Sequence, residues 1–427
     1  MKIGIPAEVK NHEYRVAITP AGVRELTLHG HEVVVQAGAG LGSSITDAEY
    51  QASGARTLPA ADDVWEAGDL ILKVKEPIAE EYDRMREGQV LFTYLHLAAD
   101  KRLTEELIAR QVTGIAYETV QTGSGALPLL APMSEVAGRL APQVGAATLM
   151  KAQGGRGVLM GGVPGVHAAR VAVIGAGVSG LNAAAIAVGM QAEVLLLDLN
   201  VDRLRAVDQI YRGQLRTIAS NAFEIERAVL DADLVIGAVL IPGAKAPTLV
   251  TNELVSAMKP GSVLVDISID QGGCFEDSYP TTHADPTYAV HNSVFYCVAN
   301  MPGAVPNTST HALTNVTLPY AVALATKGWL QACLDDTSLG LGVNTHGGHL
   351  VNAAVAEATG LDAVPLGTVL ARDLSRGRHG PGAPHDIRAE AADLGSVVDE
   401  LRGFQAEDTE ALLHLRRDRG HRPAQVG

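Results

Sequence analysis

The sequence predicts an α/β protein of two doubly wound domains, the second inserted in the first. Three observations predict it. Short, nearly continuous apolar runs alternate with helical segments, as parallel strands covered on both faces require. The alternation occurs twice, once before about residue 130 and again from 170 to 300, with a long helical stretch (133–153) as a bridge. The length of 427 residues exceeds one ordinary core and, at ~150 residues per domain, gives two or three.

In the first series the strands are 2–5 ("KIGI"), 32–36 ("EVVVQ"), 69–74 ("DLILKV"), 90–95 and 114–117. A helix fills the first interval, with Thr19 as cap, Pro20 at its first position and Gly30 just past its end. The second series gives strands at 170–175, 193–198, 233–239, 262–268 and 294–300. Helical patterns return at 317–334 and 347–359 and are expected to pack back on the first domain. The expected domains are thus 1–130 plus 307–370, and 131–306. Residues 371–427 carry arginine but no lysine and read as a loosely attached extension of unknown role.

Composition excludes several functions. A net charge of −15 argues against nucleic acid, since phosphate binding needs a basic face. Cys274, Cys297 and Cys333 have no metal-like or paired spacing, which points to a reducing, cytoplasmic setting. The amino terminus starts in a strand without a signal-peptide apolar region. Residues 171–192 are uncharged and long enough to cross a bilayer, yet four glycines with Ser179 and Asn182 divide them into strand, turn and helix. No membrane span is expected.

That segment holds Gly175-x-Gly177-x-x-Gly180 between a strand and a helix, with Asp198 ending the next strand. In this context the pattern is the dinucleotide fingerprint of a Rossmann-like domain. Its glycines let the backbone approach a pyrophosphate at the helix amino terminus. A carboxylate at Asp198 accepts ribose hydroxyls and repels a 2′-phosphate, so NAD is expected rather than NADP. Segments 239–245, 266–273 and 298–303 follow later strands and are expected near the nicotinamide. Asp270, within "DISIDQGG", reads equally as a capping carboxylate or a proton-transfer group.

Three basic residues of the first domain fall beyond carboxyl ends of strands, where open α/β sheets bind ligands: Arg15 in "EVKNHEYRVAITP", Lys75 in "LILKVKEP" and His96 in "LFTYLH". Singly, each reads as an ion pair or a satisfied strand end. Together, facing a dinucleotide site across an interdomain cleft, they suit a small 2-amino or 2-oxo acid. Arginine pairs a carboxylate bidentately, lysine polarises an oxo group, and histidine moves protons near neutrality.

Four stretches, "RVAITPAGV" (15–23), "LKVKEP" (72–77), "AQGGRGVLMGGVPGVHAARVAVIGAGVSG" (152–180) and "NMPGAVPNTST" (300–310), resemble the bacterial alanine dehydrogenase family over about residues 1–370. The resemblance implies NAD-dependent deamination of L-alanine to pyruvate and ammonium, the reverse amination, and a homo-oligomer, typically a hexamer. It also implies that Arg15 and Lys75 bind substrate with Met133, and that His96 and Asp270 are the acid–base pair. The family's cofactor contacts match Ser134, Val178, Ser179, Asp198, Ser220, Val239, Leu240, Ile267, Ser268, Ile269, Asp270, Val298, Ala299, Asn300 and Met301. Two positions depart from the pattern. Arg203 stands where lysine is common near the adenosine, a change that keeps the charge and the contact. Tyr279 stands where arginine is usual, and no contact is carried onto it. Lys327 replaces a histidine that a magnesium site proposed in some relatives needs, so no metal is expected. The alternatives are the nucleotide-binding subunit of a proton-translocating transhydrogenase, a silent NAD-binding protein, or, more distantly, an opine-type dehydrogenase.

Overall fold

The apolar runs form parallel strands, and they do so in the same spatial order twice. The computed structural model describes residues 1–239 and 246–375. The described chain forms two compact units, one of Met1–Leu130 with residues 306–375, the other of Ala131–Val305.

In the first unit, β1 (Lys2–Ile5), β2 (Glu32–Gln36), β3 (Arg56–Leu58), β4 (Leu70–Leu72), β5 (Val90–Thr93) and β6 (Thr113–Ala116) lie in the order β3-β2-β1-β4-β5-β6. All these neighbours are parallel. The chain therefore reverses direction between β1 and β4, and a crevice opens beyond the carboxyl ends at such a switch point. Helix Pro20–Leu28 begins as expected, with the Thr19 hydroxyl accepting from the Gly22 amide.

The second unit has β7 (Arg170–Ile174), β8 (Glu193–Asp198), β9 (Arg216–Ala219), β10 (Leu234–Gly237), β11 (Val263–Asp266), β12 (Thr287–Val290) and β13 (Ser293–Tyr296). Their order is β9-β8-β7-β10-β11-β13, parallel throughout, with β12 antiparallel on the outer side of β13. Small side chains set the spacing of its helices. Ala141 of helix Ala131–Thr148 and Ala183, Ala184 and Ala187 of helix Val178–Gly189 are buried in one core with the strands. At Gly138 an added methyl would stand 2.2 Å from the Ser179 carbonyl oxygen, so only glycine lets these backbones meet. This contact fixes the amino terminus of the second helix.

After helix Pro306–Lys327, β14 (Val343–His346) and β15 (His349–Leu350) return to the first sheet, antiparallel beside β6. Here the expected helix 347–359 is corrected. Gly347 and Gly348 adopt φ of 55° and 83° and turn a hairpin, and the helix starts only at Ala353.

The strands expected over 69–74 and 90–95 end at Leu72 and Thr93. The Lys73 and Tyr94 amides still donate across to the Phe92 and Val74 carbonyls, and only the amides beyond them are taken by side-chain carboxylates: Val74 and Lys75 by Glu8, Leu95 and His96 by Glu118. Among the described residues no helix is long and apolar enough to cross a membrane.

Candidate active site

The three fingerprint glycines do different work. Gly175 has φ +102°, and a methyl there would lie 2.6 Å from the Ala238 carbonyl oxygen; at Gly180 it would lie 1.7 Å from that of Gly175. The fold itself requires both. Gly177 has an ordinary φ of −72°, and nothing lies within 4 Å of an added methyl. The protein has no use of its own for glycine at 177, whereas a pyrophosphate approaching the backbone does. Gly177 also caps helix Val178–Gly189 without a side-chain acceptor, which leaves the first-turn amides, near Val178 and Ser179, for an anion.

Asp198 ends β8 beside this turn. Its carboxylate accepts from the Ala176 amide (2.6 Å) and the Asn200 amide (2.7 Å), with an Arg203 guanidinium nitrogen at 3.4 Å. The Ser220 amide donates to the Asp198 carbonyl. The donor set, the open glycine and the terminal carboxylate fit an adenine dinucleotide.

The other expected contacts lie at or just beyond carboxyl ends of this sheet, save for Met133 and Ser134 in the first turn of helix Ala131–Thr148. The Ser268 hydroxyl donates to the Val239 carbonyl (2.7 Å), and the Ile267 amide to that of Gly237 (2.9 Å). Ile269 is buried, while Asp270 is exposed on the short turn Ile269–Gln271. Buried Asp266 anchors that loop by accepting from the Ser268 amide, the Cys274 amide and the Ser278 hydroxyl. Burial pushes the Asp266 carboxyl up, and these bonds only partly offset it. Beyond β13, Val298 and Met301 are buried, the Ala299 amide donates to Thr281, and Asn300 takes a left-handed φ of 65°. Leu240 lies outside the described residues. Tyr279 stacks on Tyr288 at 3.8 Å.

In the first unit, each of the three basic residues has its backbone amide accepted by a glutamate. Glu13 accepts from the Arg15 amide (3.1 Å) and pairs with its guanidinium through Nε (2.7 Å) and Nη2. Burial opposes that charge, but the Glu13 carboxylate outweighs it and raises the arginine's pKa. Glu8 accepts from the Val74 amide (2.6 Å) and the Lys75 amide (3.3 Å), and pairs with fully buried Lys73 (3.1 Å), which also reaches Glu81 (2.9 Å). Glu118 accepts from the His96 amide (2.6 Å) and the Leu95 amide (3.2 Å).

His96 has φ 49° and ψ 36°, a left-handed conformation that costs a non-glycine residue roughly 1–3 kcal/mol. Its imidazole stacks on Tyr94 (5.7 Å, 13°), whose hydroxyl donates to the Leu129 carbonyl. Lys75 is buried, and His96 is half-buried. Burial pushes the neighbouring Glu76 carboxyl up, but Lys75, His96 and Lys10 together hold it below the usual carboxylate range. The same carboxylate thus feels Lys75 and His96, while Tyr94 feels Arg15. The structure gathers the three basic residues around Glu76 and Tyr94, and places Asp270 and Met133 in the other unit. Glu8, Glu13, Glu118 and Lys73 escaped sequence reading, because a carboxylate bound to backbone amides leaves no periodic signal. At the end of helix Pro306–Lys327, Lys327 pairs with Asp335.

The family models "Alanine dehydrogenase/PNT, N-terminal domain" and "C-terminal domain" match residues 4–137 and 141–353. The chain belongs to the alanine dehydrogenase/PNT family. It is 64% identical to an alanine dehydrogenase of Mycolicibacterium smegmatis over 357 residues, covering 84% of this chain and 96% of that protein. A solved L-alanine dehydrogenase is 50% identical, with a TM-score of 0.81, over 84% of this chain and 99% of the other. A solved transhydrogenase from Sinorhizobium meliloti is 29% identical, with a TM-score of 0.71, over 83% of this chain and 100% of the other.

Proposed function

We propose that this protein catalyses the NAD-dependent oxidative deamination of L-alanine to pyruvate and ammonium, and the reverse amination. The observation that carries this reading is the gathering of Lys75 and His96 around buried Glu76, with Arg15 beside Tyr94 on which His96 stacks, in a chain whose second sheet keeps a glycine open for a dinucleotide. The first unit then serves as substrate domain and the second as nucleotide domain.

NAD, held by the glycine turn and Asp198, would supply the acceptor for the hydride that leaves the substrate's Cα. Arg15 pairs the substrate carboxylate, and its own grip on Glu13 fixes the plane of the guanidinium. Lys75, compact and buried, stabilises negative charge developing on the 2-oxo oxygen. His96 and Asp270 share the proton transfers as water adds to the imine carbon and the carbinolamine collapses. Met133 bounds the substrate, and Asp198 accepts the ribose hydroxyls and disfavours a 2′-phosphate. The remaining cofactor positions, from Ser134 to Met301, line the dinucleotide. A homohexamer in the cytoplasm is the assembly and setting that this reading implies, and sedimentation of the purified chain checks the former.

The test is NADH oxidation by the purified protein with pyruvate and ammonium, with NADPH and ammonium-free reactions as controls. Oxidation that requires ammonium and prefers NADH is expected. NADH binding without turnover would favour the transhydrogenase-like or silent reading instead.

A further inference from the structure

Three basic residues with three glutamates behind them raise the question of what those carboxylates do. Glu13 and Glu8 are largely committed to neutralising buried cations. Glu118 differs. It sits in the turn Tyr117–Thr119 directly after β6, the strand paired with β5, so it stands beside the end of β5 where His96 leaves the sheet. Its Oε1 accepts from the His96 amide at 2.6 Å and from the Leu95 amide at 3.2 Å, and its Oε2 also lies 3.2 Å from the latter. One carboxylate therefore holds two successive amides, the second belonging to a residue in a left-handed conformation that L side chains rarely adopt. With φ at 49° the chain turns sharply out of β5, and the imidazole folds back over Tyr94.

We infer that Glu118 is a positioning residue for the acid–base step: by binding the Leu95 and His96 amides it holds His96 in the left-handed turn that sets its imidazole. The inference rests on the proposed role of His96. Glu118 acts through the backbone, not on substrate. A charged acceptor forms stronger bonds to amides than a neutral one, which suits the task of holding a strained residue. The Gln variant keeps Oε1, and with it the short bond to His96, but presents an amide N–H to Leu95 where Oε2 now stands.

The experiment compares Glu118→Ala, Glu118→Gln, His96→Ala and the Glu118→Ala/His96→Ala double variant of the full chain, measuring kcat and KM for pyruvate and the Kd for NADH. Glu118→Ala is expected to lower kcat by ~10²-fold, the size of effect that misplacing a reacting group by about 1 Å produces. The NADH Kd and the KM for pyruvate, set by groups other than His96, are expected to change little. Glu118→Gln recovers the larger part of kcat. In the His96→Ala background the second substitution costs nothing further, because residues acting as a unit are non-additive. An equal loss in both backgrounds overturns the inference, as does undiminished kcat in Glu118→Ala or a Gln variant as impaired as Ala. If Glu118→Ala does not fold, Glu118→Asp, whose carboxylate is one methylene too short to hold both amides, replaces it in the two backgrounds and decides between the same outcomes. Full turnover by His96→Ala removes the acid–base reading of His96 and this inference with it. An inactive His96→Ala beside an active Glu118→Ala removes the inference alone.

Discussion

Glu76 is the residue on which the charges of the first unit converge. Its carboxyl is held below its ordinary value of 4.5 by Lys75, His96 and Lys10, against the opposing effect of burial. A carboxyl whose folded pKa is depressed adds stability above its unfolded value, and that stability is lost as the pH falls through the folded value. Replacing Glu76 with Gln should therefore destabilise the protein at pH 7, by about 1–3 kcal/mol for a buried, charge-assisted partner removed. The deficit should shrink as the pH drops below 4.5. Chemical denaturation of both proteins across that range checks it, and a deficit that stays constant would show that Glu76 acts by shape alone. At this scale the cations were legible and their counter-charges were not. Arg15, Lys75 and His96 stand at strand ends, which sequence periodicity locates. Glu118 serves its partner from a strand away, and only the parallel register of β5 with β6 reveals the pairing.

Among the elements, the glycine turn separates what the fold needs from what a ligand needs. Gly180 has a carbonyl 1.7 Å from where a methyl would go, while Gly177 faces open space. Gly180→Ala should thus push the helix amino terminus off the sheet, lowering both Tm and NADH affinity. Gly177→Ala should leave Tm nearly unchanged and weaken NADH binding, which calorimetry and fluorescence titration separate. Equal Tm losses in the two variants would deny Gly177 its ligand-facing role. The buried parallel strands were readable because both their faces are apolar. β3, β9 and β12 were not, since each is an edge strand with half-buried or exposed positions and no continuous apolar run. β15 was hidden inside the helix expected over 347–359, which Gly347 and Gly348 break by bending the chain back, and β14 carries no continuous apolar run.

Over the whole molecule the same six-strand order recurs in two sheets, each with an antiparallel strand added beyond its sixth member. The second sheet draws all its strands from one uninterrupted stretch, so residues 131–305, produced alone, should fold and bind NADH without turning over pyruvate and ammonium. Fluorescence titration of that fragment decides it, and a fragment that is unfolded by circular dichroism would show that the second unit depends on the first. The first sheet is different in kind. Its strand β6 finds its outer neighbour only in β14, more than two hundred residues later. During translation at ~5–20 residues per second, that partner leaves the ribosome on the order of ten seconds or more after β6 does. For this interval the exposed edge of β6 is a template for wrong pairing, so the nascent amino-terminal half waits on a later-made half that closes first, and chaperones have their longest opportunity there.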